Sequence, residues 1–383
     1  MLKLDALLWI ELVTNGYWLL SFGYLVLFPA LGYFWFKKEK ETDLPTPPPP
    51  LSLVIAIRNE AANLPALFAQ IRQLTYPGLE VLFVNDNSED SSPQMLRQTV
   101  DEAQALGKDW KLLHSQGQGK KAAISTAVAV AKGTLIATTD ADCAFGANWL
   151  ERLAAPFSDE KIQMVAGPVM INPHPNYIFS TFQQVESVSI LLVTRFCFSL
   201  NIPLMCSASN MAYRKSAFEQ VNGYVGNLQF LSGDDEFLLK KIASAHGTDS
   251  VKYLHQPELF VTTAPQKSWS AFISQRARWA SKWKLHDYGH MLIAALCALL
   301  LLLYMVSPAL LFLGKAGWQA FAGLWILKIL AEFWVVAGVL KQFKIPLTLG
   351  QMIIASFIHP FYAFATAMSI SSNGWEWKGR KQA

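Results

Sequence analysis

The chain has 383 residues, 52% of them hydrophobic and only 16% charged, with 13 Trp and a mean hydropathy of +0.25. That is too apolar for an ordinary water-soluble enzyme and calls for membrane segments. A balance of 32 basic against 28 acidic residues, net +4, is too slight for a nucleic-acid binder, which carries a concentrated basic stripe; it suits contact with anionic headgroups.

Residues 16–36 carry no charge and have the length to cross a hydrocarbon core of ~30 Å, which predicts a membrane helix. Lys37, Lys38 and Lys40 follow directly, and the positive-inside tendency makes that flank cytoplasmic. A cleaved signal peptide has its basic residues before the apolar stretch, so the order here predicts an uncleaved anchor. Pro45 and the four prolines at 47–50 read as a stiff extended linker.

From Leu51 to about Tyr253, apolar runs of strand length alternate with amphipathic stretches. This predicts a parallel sheet covered by helices, an α/β domain of nucleotide-binding type with a core large enough to fold independently. Strands are expected over residues 51–57, 80–84, 111–114, 134–138 and 162–167, and helices over 61–73, 92–105, 121–131 and 148–157. Residues 179–200 are largely apolar but interrupted by Gln183, Gln184, Glu186 and Arg195. That pattern reads as an interfacial amphipathic helix, with a core helix as the alternative. Cys143, Cys197, Cys206 and Cys297 show no CxxC spacing, so buried reduced thiols are expected rather than a zinc site or disulfides.

Three further spans are expected at residues 290–313, 318–340 and 351–370. Lys328 and Glu332 stand four apart in the second, close enough to pair on one helical face inside a bundle. One span before the α/β region and three after it put Lys378, Arg380 and Lys381 outside. Either the last segment is re-entrant around Pro360 or the positive-inside tendency fails here.

The residues able to carry chemistry stand where predicted strands end. Asp140 and Asp142 close the run 134–139, and a buried strand there delivers both to the crevice where open α/β sheets bind ligands. Two hard oxygen ligands suit a divalent ion carrying a phosphorylated substrate, although an Asp-x-Asp also reads as a solvated turn. Arg58, Asn59 and Glu60 follow the first strand, before a helix start that favours phosphate or acidic groups; they read equally as a cap. Asp86 follows the second strand, where a carboxylate reaches a base or ribose, inside an Asn/Ser/Asp string that also suits an Asx-turn. Gly119-Lys120-Lys121 offers a lysine to a diphosphate without the spacing of a P-loop. Asp234, Asp235 and Glu236 precede an apolar helix start; adjacent acids repel, a cost tolerated at a helix N-terminus or at a site needing a base. Gln275, Arg276, Arg278 and Trp279, followed by Lys282, Trp283 and Lys284, put cations and indoles just before the membrane, as an interfacial belt also would.

In this order and between membrane spans, Asp86, Asp140-Ala141-Asp142, Gly233-Asp234-Asp235 and Gln275-x-x-Arg278-Trp279 resemble the motif series of membrane-bound family 2 glycosyltransferases with a GT-A fold. That group includes ceramide glucosyltransferases and cellulose, hyaluronan and poly-N-acetylglucosamine synthases. The resemblance covers about residues 51–283 and the membrane layout. The tail Trp375-x-Trp377-Lys378-Gly379-Arg380 is similar to a Trp-x-Gly-Arg ending of lipid-directed members. Two positions depart: Ser207-Ala208-Ser209-Asn210 stands where many relatives have Gly-Ala-Asn, and Gly-Asp-Asp stands for Thr-Glu-Asp.

The resemblance implies an α/β GT-A nucleotide-sugar-binding domain inserted between transmembrane helices. Its expected parts are an anchor (1–44), a cytosolic glycosyltransferase domain with interfacial helices (45–289), and C-terminal membrane helices with a short tail (290–383). By the same resemblance Asp86 contacts the nucleotide, Asp140 the nucleotide or ribose, and Asp142 the Mn2+ or Mg2+ on the diphosphate. Asp235 is then the general base, Gln275 and Arg278 bind the donor, Trp279 and Asp234 line the acceptor site, and Arg58, Glu60 and Lys120 complete the donor pocket. The implied activity is inverting, metal-dependent transfer from a nucleotide-diphosphate sugar to a hydroxyl of a membrane-lipid-borne acceptor, in a multi-pass protein of a bacterial inner membrane. Four spans leave little room for a polymer channel, which favours lipid glycosylation over a small polysaccharide synthase. A scaffold with a dead sugar-nucleotide domain is expected to lose the metal and base acids, and this chain keeps them.

Overall fold

A computed structural model describes residues 2–39, 42–228, 230, 232–281, 288–370, 376–377 and 380–381. The chain forms two compact units, one of Met1–Lys37, Pro173–Val193 and Pro265–Asn373, the other of Lys38–Asn172, Thr194–Ala264 and Gly374–Ala383.

After helix α1 (Leu2–Phe36), strand and helix alternate through β1 (Leu51–Ile57), α2 (Leu64–Gln73), β2 (Glu80–Asn85), α3 (Ser92–Ala105), β3 (Asp109–His114), α4 (Lys120–Val130) and β4 (Leu135–Thr138). β2 and β4 are buried along their whole length and β1 almost so, as strands covered on both faces are. The helices bury single stripes, Leu64, Leu67, Phe68 and Ile71 on α2 and Leu96, Thr99, Val100 and Ala103 on α3, at helical spacing. The four strands pair in parallel in the order β3-β2-β1-β4. Expected ends shift by at most three residues up to β4; α2 starts at Leu64 rather than Ala61 because Pro65 fits only the first helical turn.

The chain continues through β5 (Cys143–Ala144), α5 (Trp149–Ala154), β6 (Met164–Ala166), β7 (Val169–Ile171), α6 (Tyr177–Ser199), β8 (Met211–Arg214), α7 (Lys215–Gln220), α8 (Asp234–His246), β9 (Val251–Tyr253) and β10 (Val261–Thr263). The main sheet grows to seven strands, β3-β2-β1-β4-β8-β6-β9, with β8 antiparallel to both neighbours. It is therefore mixed rather than wholly parallel. A second sheet, β5-β10-β7, sets Thr263 opposite Cys143.

The other unit holds α1, α6 up to Val193, α9 (Trp269–Ala280), α10 (Tyr288–Val306), α11 (Gly314–Gln342) and α12 (Leu349–Ile370). Among the described residues, four segments are long and apolar enough to cross a membrane: Leu7–Phe36, Ala295–Phe312, Gly314–Gln342 and Leu349–Ile370. α12 runs through Pro360 as one helix, not as a re-entrant hairpin. α1 meets α11 closely, since a Cβ at Gly323 would lie 2.3 Å from the Trp18 ring, an approach that small residues permit between membrane helices. Lys328 and Glu332 pair at 2.6 Å as their spacing predicts, and Glu332 also accepts from Tyr24 and, at 2.8 Å, from Ser356.

The polar interruptions of α6 turn inward. Gln183, Gln184, Glu186 and Arg195 are all buried, so the expected water-facing polar side is replaced by groups that face protein. Trp377 pairs with Arg380 across an antiparallel two-residue bridge near the C-terminus. Lys40, Lys282, Trp283, Lys284, Trp375, Lys378 and Gly379 lie outside the described residues.

Candidate active site

In the order β3-β2-β1-β4 the chain leaves β1 toward one side while β4 lies on the other, the arrangement that opens a crevice at the carboxyl ends of the strands. Arg58 follows β1, Asp86 follows β2, Lys120 opens α4 after β3, and Asp140 and Asp142 follow β4. Side chains that sequence scatters over eighty residues thus share one edge.

Asp86 is buried, and both its carboxylate oxygens lie 3.1 Å from the Gly119 amide, which donates to them. Gly119 has φ 91°, left-handed backbone that favours glycine. Asp86 therefore holds the loop that presents Lys120. Arg58 donates to the carbonyls of Asp86 at 3.1 Å and Asn87 at 2.8 Å, bracing the segment that carries Asp86. Glu60 accepts from Asn63 Nδ2 at 2.6 Å.

Lys120 Nζ lies 2.6 Å from Asp140 Oδ1 and 3.1 Å from Asp234 Oδ2. Burial alone lowers an ammonium, but the two carboxylates outweigh it and hold Lys120 well above the ordinary lysine range. Asp140 Oδ2 accepts from Ser209 Oγ at 2.5 Å, and Asp142 Oδ2 from Thr263 Oγ1 at 3.0 Å. Burial and then the charge of Asp140 push the Asp142 carboxyl up, the response of two acids sharing a site.

Asp140, Asp142 and Cys143 offer ligand atoms within 4.8 Å of one another. Burial, then the two aspartates, push the Cys143 thiol up, which leaves the two carboxylates as the donors a hard cation would favour. Hard oxygen ligands of this kind fit Mg2+ or Mn2+.

One turn connects this pair to the acids of α8. Ser207 caps the turn Ala208–Asn210 by accepting from the Ser209 amide, Ser209 donates to Asp140, and the Ala208 amide donates to Asp235 Oδ2 at 3.3 Å. Asp235 Oδ1 also accepts from the Glu236 amide at 2.7 Å. Asn210, fully buried, anchors the turn by donating to Pro168 O at 2.9 Å and Leu259 O at 2.7 Å and accepting from Trp149 Nε1 at 2.8 Å.

The α/β unit thus brings together Asp86, Lys120, Asp140, Asp142, Asp234 and Asp235. Gln275, Arg278 and Trp279 lie on α9 of the other unit, where Trp279 is 40% exposed. Sequence reasoning misses three supporting residues. Thr263 has no local signal, because its contact closes over 121 residues. Ser209 belongs to a noted departure but carries no assigned role there. Lys121 is buried and donates to the carbonyls of Asn227, Phe230 and Ser232 at 2.8, 2.9 and 2.9 Å, clamping the segment before α8. Adjacent positions on a helix diverge by about 100°, so Lys120 and Lys121 cannot serve the same crevice, and that was the available signal.

The glycosyl transferase family 2 model matches residues 52–221. Glycosyltransferase AglE of Haloferax volcanii is 27% identical over 205 residues, 51% of this chain and 62% of that protein. Beta-monoglucosyldiacylglycerol synthase of Trichormus variabilis is 30% identical over 135 residues, 34% of this chain and 27% of that protein. The chain thus spans less than two thirds of either relative's length. Among solved structures, mannosyltransferase PcManGT from Pyrobaculum calidifontis, in complex with GDP-Man and Mn2+, has a TM-score of 0.53 at 17% identity, covering 94% of this chain and 98% of that chain; the likeness is one of fold. The family match over residues 52–221, the strand order and the acids gathered at the strand ends make this part of the chain a family 2 glycosyltransferase domain with a GT-A fold.

Proposed function

We propose that this chain is an inverting, metal-dependent glycosyltransferase that moves a sugar from a nucleotide-diphosphate sugar to a hydroxyl of a membrane-lipid-borne acceptor. The observation that carries the reading is the single turn that touches Asp140 on one side and Asp235 on the other. It sets a pair of acids suited to a cation beside a separate acid suited to a proton.

In this reading Asp140 and Asp142 would hold Mn2+ or Mg2+, and the bound ion would supply positive charge to the departing nucleoside diphosphate. Asp86 receives the nucleotide, with Arg58 and Glu60 shaping its loop, and Lys120, Gln275 and Arg278 bind the diphosphate side of the donor. Asp235 takes the proton of the acceptor hydroxyl while its oxygen attacks the anomeric carbon from the face opposite the leaving group, so configuration inverts. A base of this kind contributes ~10²-fold to 10⁴-fold. Asp234 and Trp279 orient the acceptor, the indole by stacking on an apolar face.

A lipid acceptor is supported by the small number of candidate spans, four among the described residues, which leaves little room for a polymer channel, and by the name of one relative, a beta-monoglucosyldiacylglycerol synthase. We place residues 45–289 in the cytosol of a bacterium, between an inner-membrane anchor (1–44) and membrane helices (290–383). Lys37 and Lys38 after the first apolar helix support that side.

The test incubates the purified full chain in lipid nanodiscs with a panel of labelled nucleotide sugars. Label in an organic-soluble product is expected; label confined to a water-soluble polymer sinks the lipid acceptor, and no diphosphate release from any donor sinks the enzyme. Asp235→Asn should abolish transfer while sparing donor binding, and Asp142→Asn should weaken metal-dependent donor binding. Wild-type turnover in either variant removes that residue's role.

A further inference from the structure

Arg276 lies between the residues assigned to substrate on α9 and is itself 6% exposed. Its guanidinium forms a two-pronged pair with Glu186 of α6, Nε to Oε1 at 2.7 Å and one terminal nitrogen to Oε2 at 2.6 Å. The other terminal nitrogen donates to Gln275 Oε1. Tyr362 of α12 donates its hydroxyl to the same Glu186 at 3.2 Å. The guanidinium carbon sits 4.3 Å from the ring of Phe272 and 4.3 Å from the ring of Trp279.

A buried ion pair is weak evidence for stability, because apolar residues of equal volume often serve as well. What they cannot supply is a flat, fixed cation against an indole, and neither can lysine, whose ammonium lacks the plane and the fork. Trp279 stands three positions after Arg276, on the same helical face. Its half-exposed ring is therefore backed by a group locked from two other helices.

We propose that Arg276 is a positioning residue for Trp279, with Glu186 and Tyr362 as its anchors, so that the acceptor meets an indole of fixed orientation. The proposal rests on the glycosyltransferase reading above. It assigns to α6 and α12 an influence on acceptor use that no substrate contact of theirs is needed to explain.

The test uses the full chain in nanodiscs, with the donor and lipid acceptor that the panel above identifies, and 5-fluorotryptophan labelling with the Trp279 fluorine resonance assigned by its loss in Trp279→Phe. Arg276→Lys should raise the acceptor KM about tenfold with the donor KM within twofold, and should shift the Trp279 resonance. Tyr362→Phe, which removes one hydroxyl and is the variant to use if Arg276→Lys does not fold, should move both readouts in the same direction by a smaller amount. Combining Arg276→Lys with Trp279→Phe should add nothing to the larger single effect. An unmoved resonance or a wild-type acceptor KM in an active protein overturns this proposal alone. Absence of turnover by the wild-type chain on every donor overturns it together with the glycosyltransferase reading.

Discussion

Thr263 donates its hydroxyl to Asp142 Oδ2 at 3.0 Å, from a strand that joins the acid's own segment through β5 and β10. The other oxygen, Oδ1, accepts from the Cys143 thiol at 3.8 Å; under the proposed metal role Thr263 orients a ligand, and groups that do so are typically worth about 10–100-fold in affinity. Thr263→Val keeps the shape and loses the donor. We expect its Mn2+ affinity, by titration calorimetry, to fall within that range while Thr263→Ser stays near wild type; equal affinities in all three proteins would refute the tether.

Lys121 holds three carbonyls of residues 227–232 with one ammonium. Lys121→Met leaves those acceptors without their donor, a loss of about 1–3 kcal/mol. The expected signs are a lower Tm and new proteolytic cleavage in that segment. An unchanged digestion pattern would contradict the clamp.

Glu80 gives a pH dependence of known sign. Burial pushes its carboxyl up, but hydrogen bonds from Lys111 at 2.6 Å, from Ser52 and from the Lys132 amide at 2.8 Å outweigh this and hold it below the usual carboxylate range. The unfolded chain then takes up the proton first as pH falls, so the contribution is complete above the unfolded glutamate value of about 4.3 and disappears as pH drops through the lower folded value. Thermal unfolding against pH should show the wild type losing stability through that window. Glu80→Gln should show a flatter profile there and a loss of about 1.5–3 kcal/mol at neutral pH.

Lys328 and Glu332 are both buried and pair at 2.6 Å. Removing one partner of such a pair costs about 3–5 kcal/mol, whereas replacing both by apolar residues is often neutral. Lys328→Met should therefore lower the Tm in detergent much more than the double change Lys328→Met, Glu332→Met. The reverse order would show that the lysine acts without its partner.

The elements that could be read from sequence are those whose burial leaves a local trace. Leu51–Ile57 and Glu80–Asn85 are strands covered on both faces, and Asp86, Asp140 and Asp142 become legible because they stand at the ends of such runs. Met211–Arg214 is four residues without periodicity, and its pairing with Leu135–Thr138 on one side and Met164–Ala166 on the other makes it a strand. Hydroxyls are generic in sequence, so Thr263 and Ser209 acquire meaning through one contact each. Glu186 in α6 shows the same limit from the other side: a carboxylate in an apolar helix reads as facing water until Arg276, 90 residues away, is seen to hold it.

Because the Ser209 hydroxyl grips Asp140 and the Ala208 amide, one residue earlier, grips Asp235, the spacing of the two acids is set by adjacent residues of one short turn. Under the proposed mechanism, bond breaking at the donor and proton capture at the acceptor are kept in step by residues 207–210. Changes of sugar or lipid must then be accommodated by substitutions elsewhere, and an insertion in this turn would uncouple the two events at once.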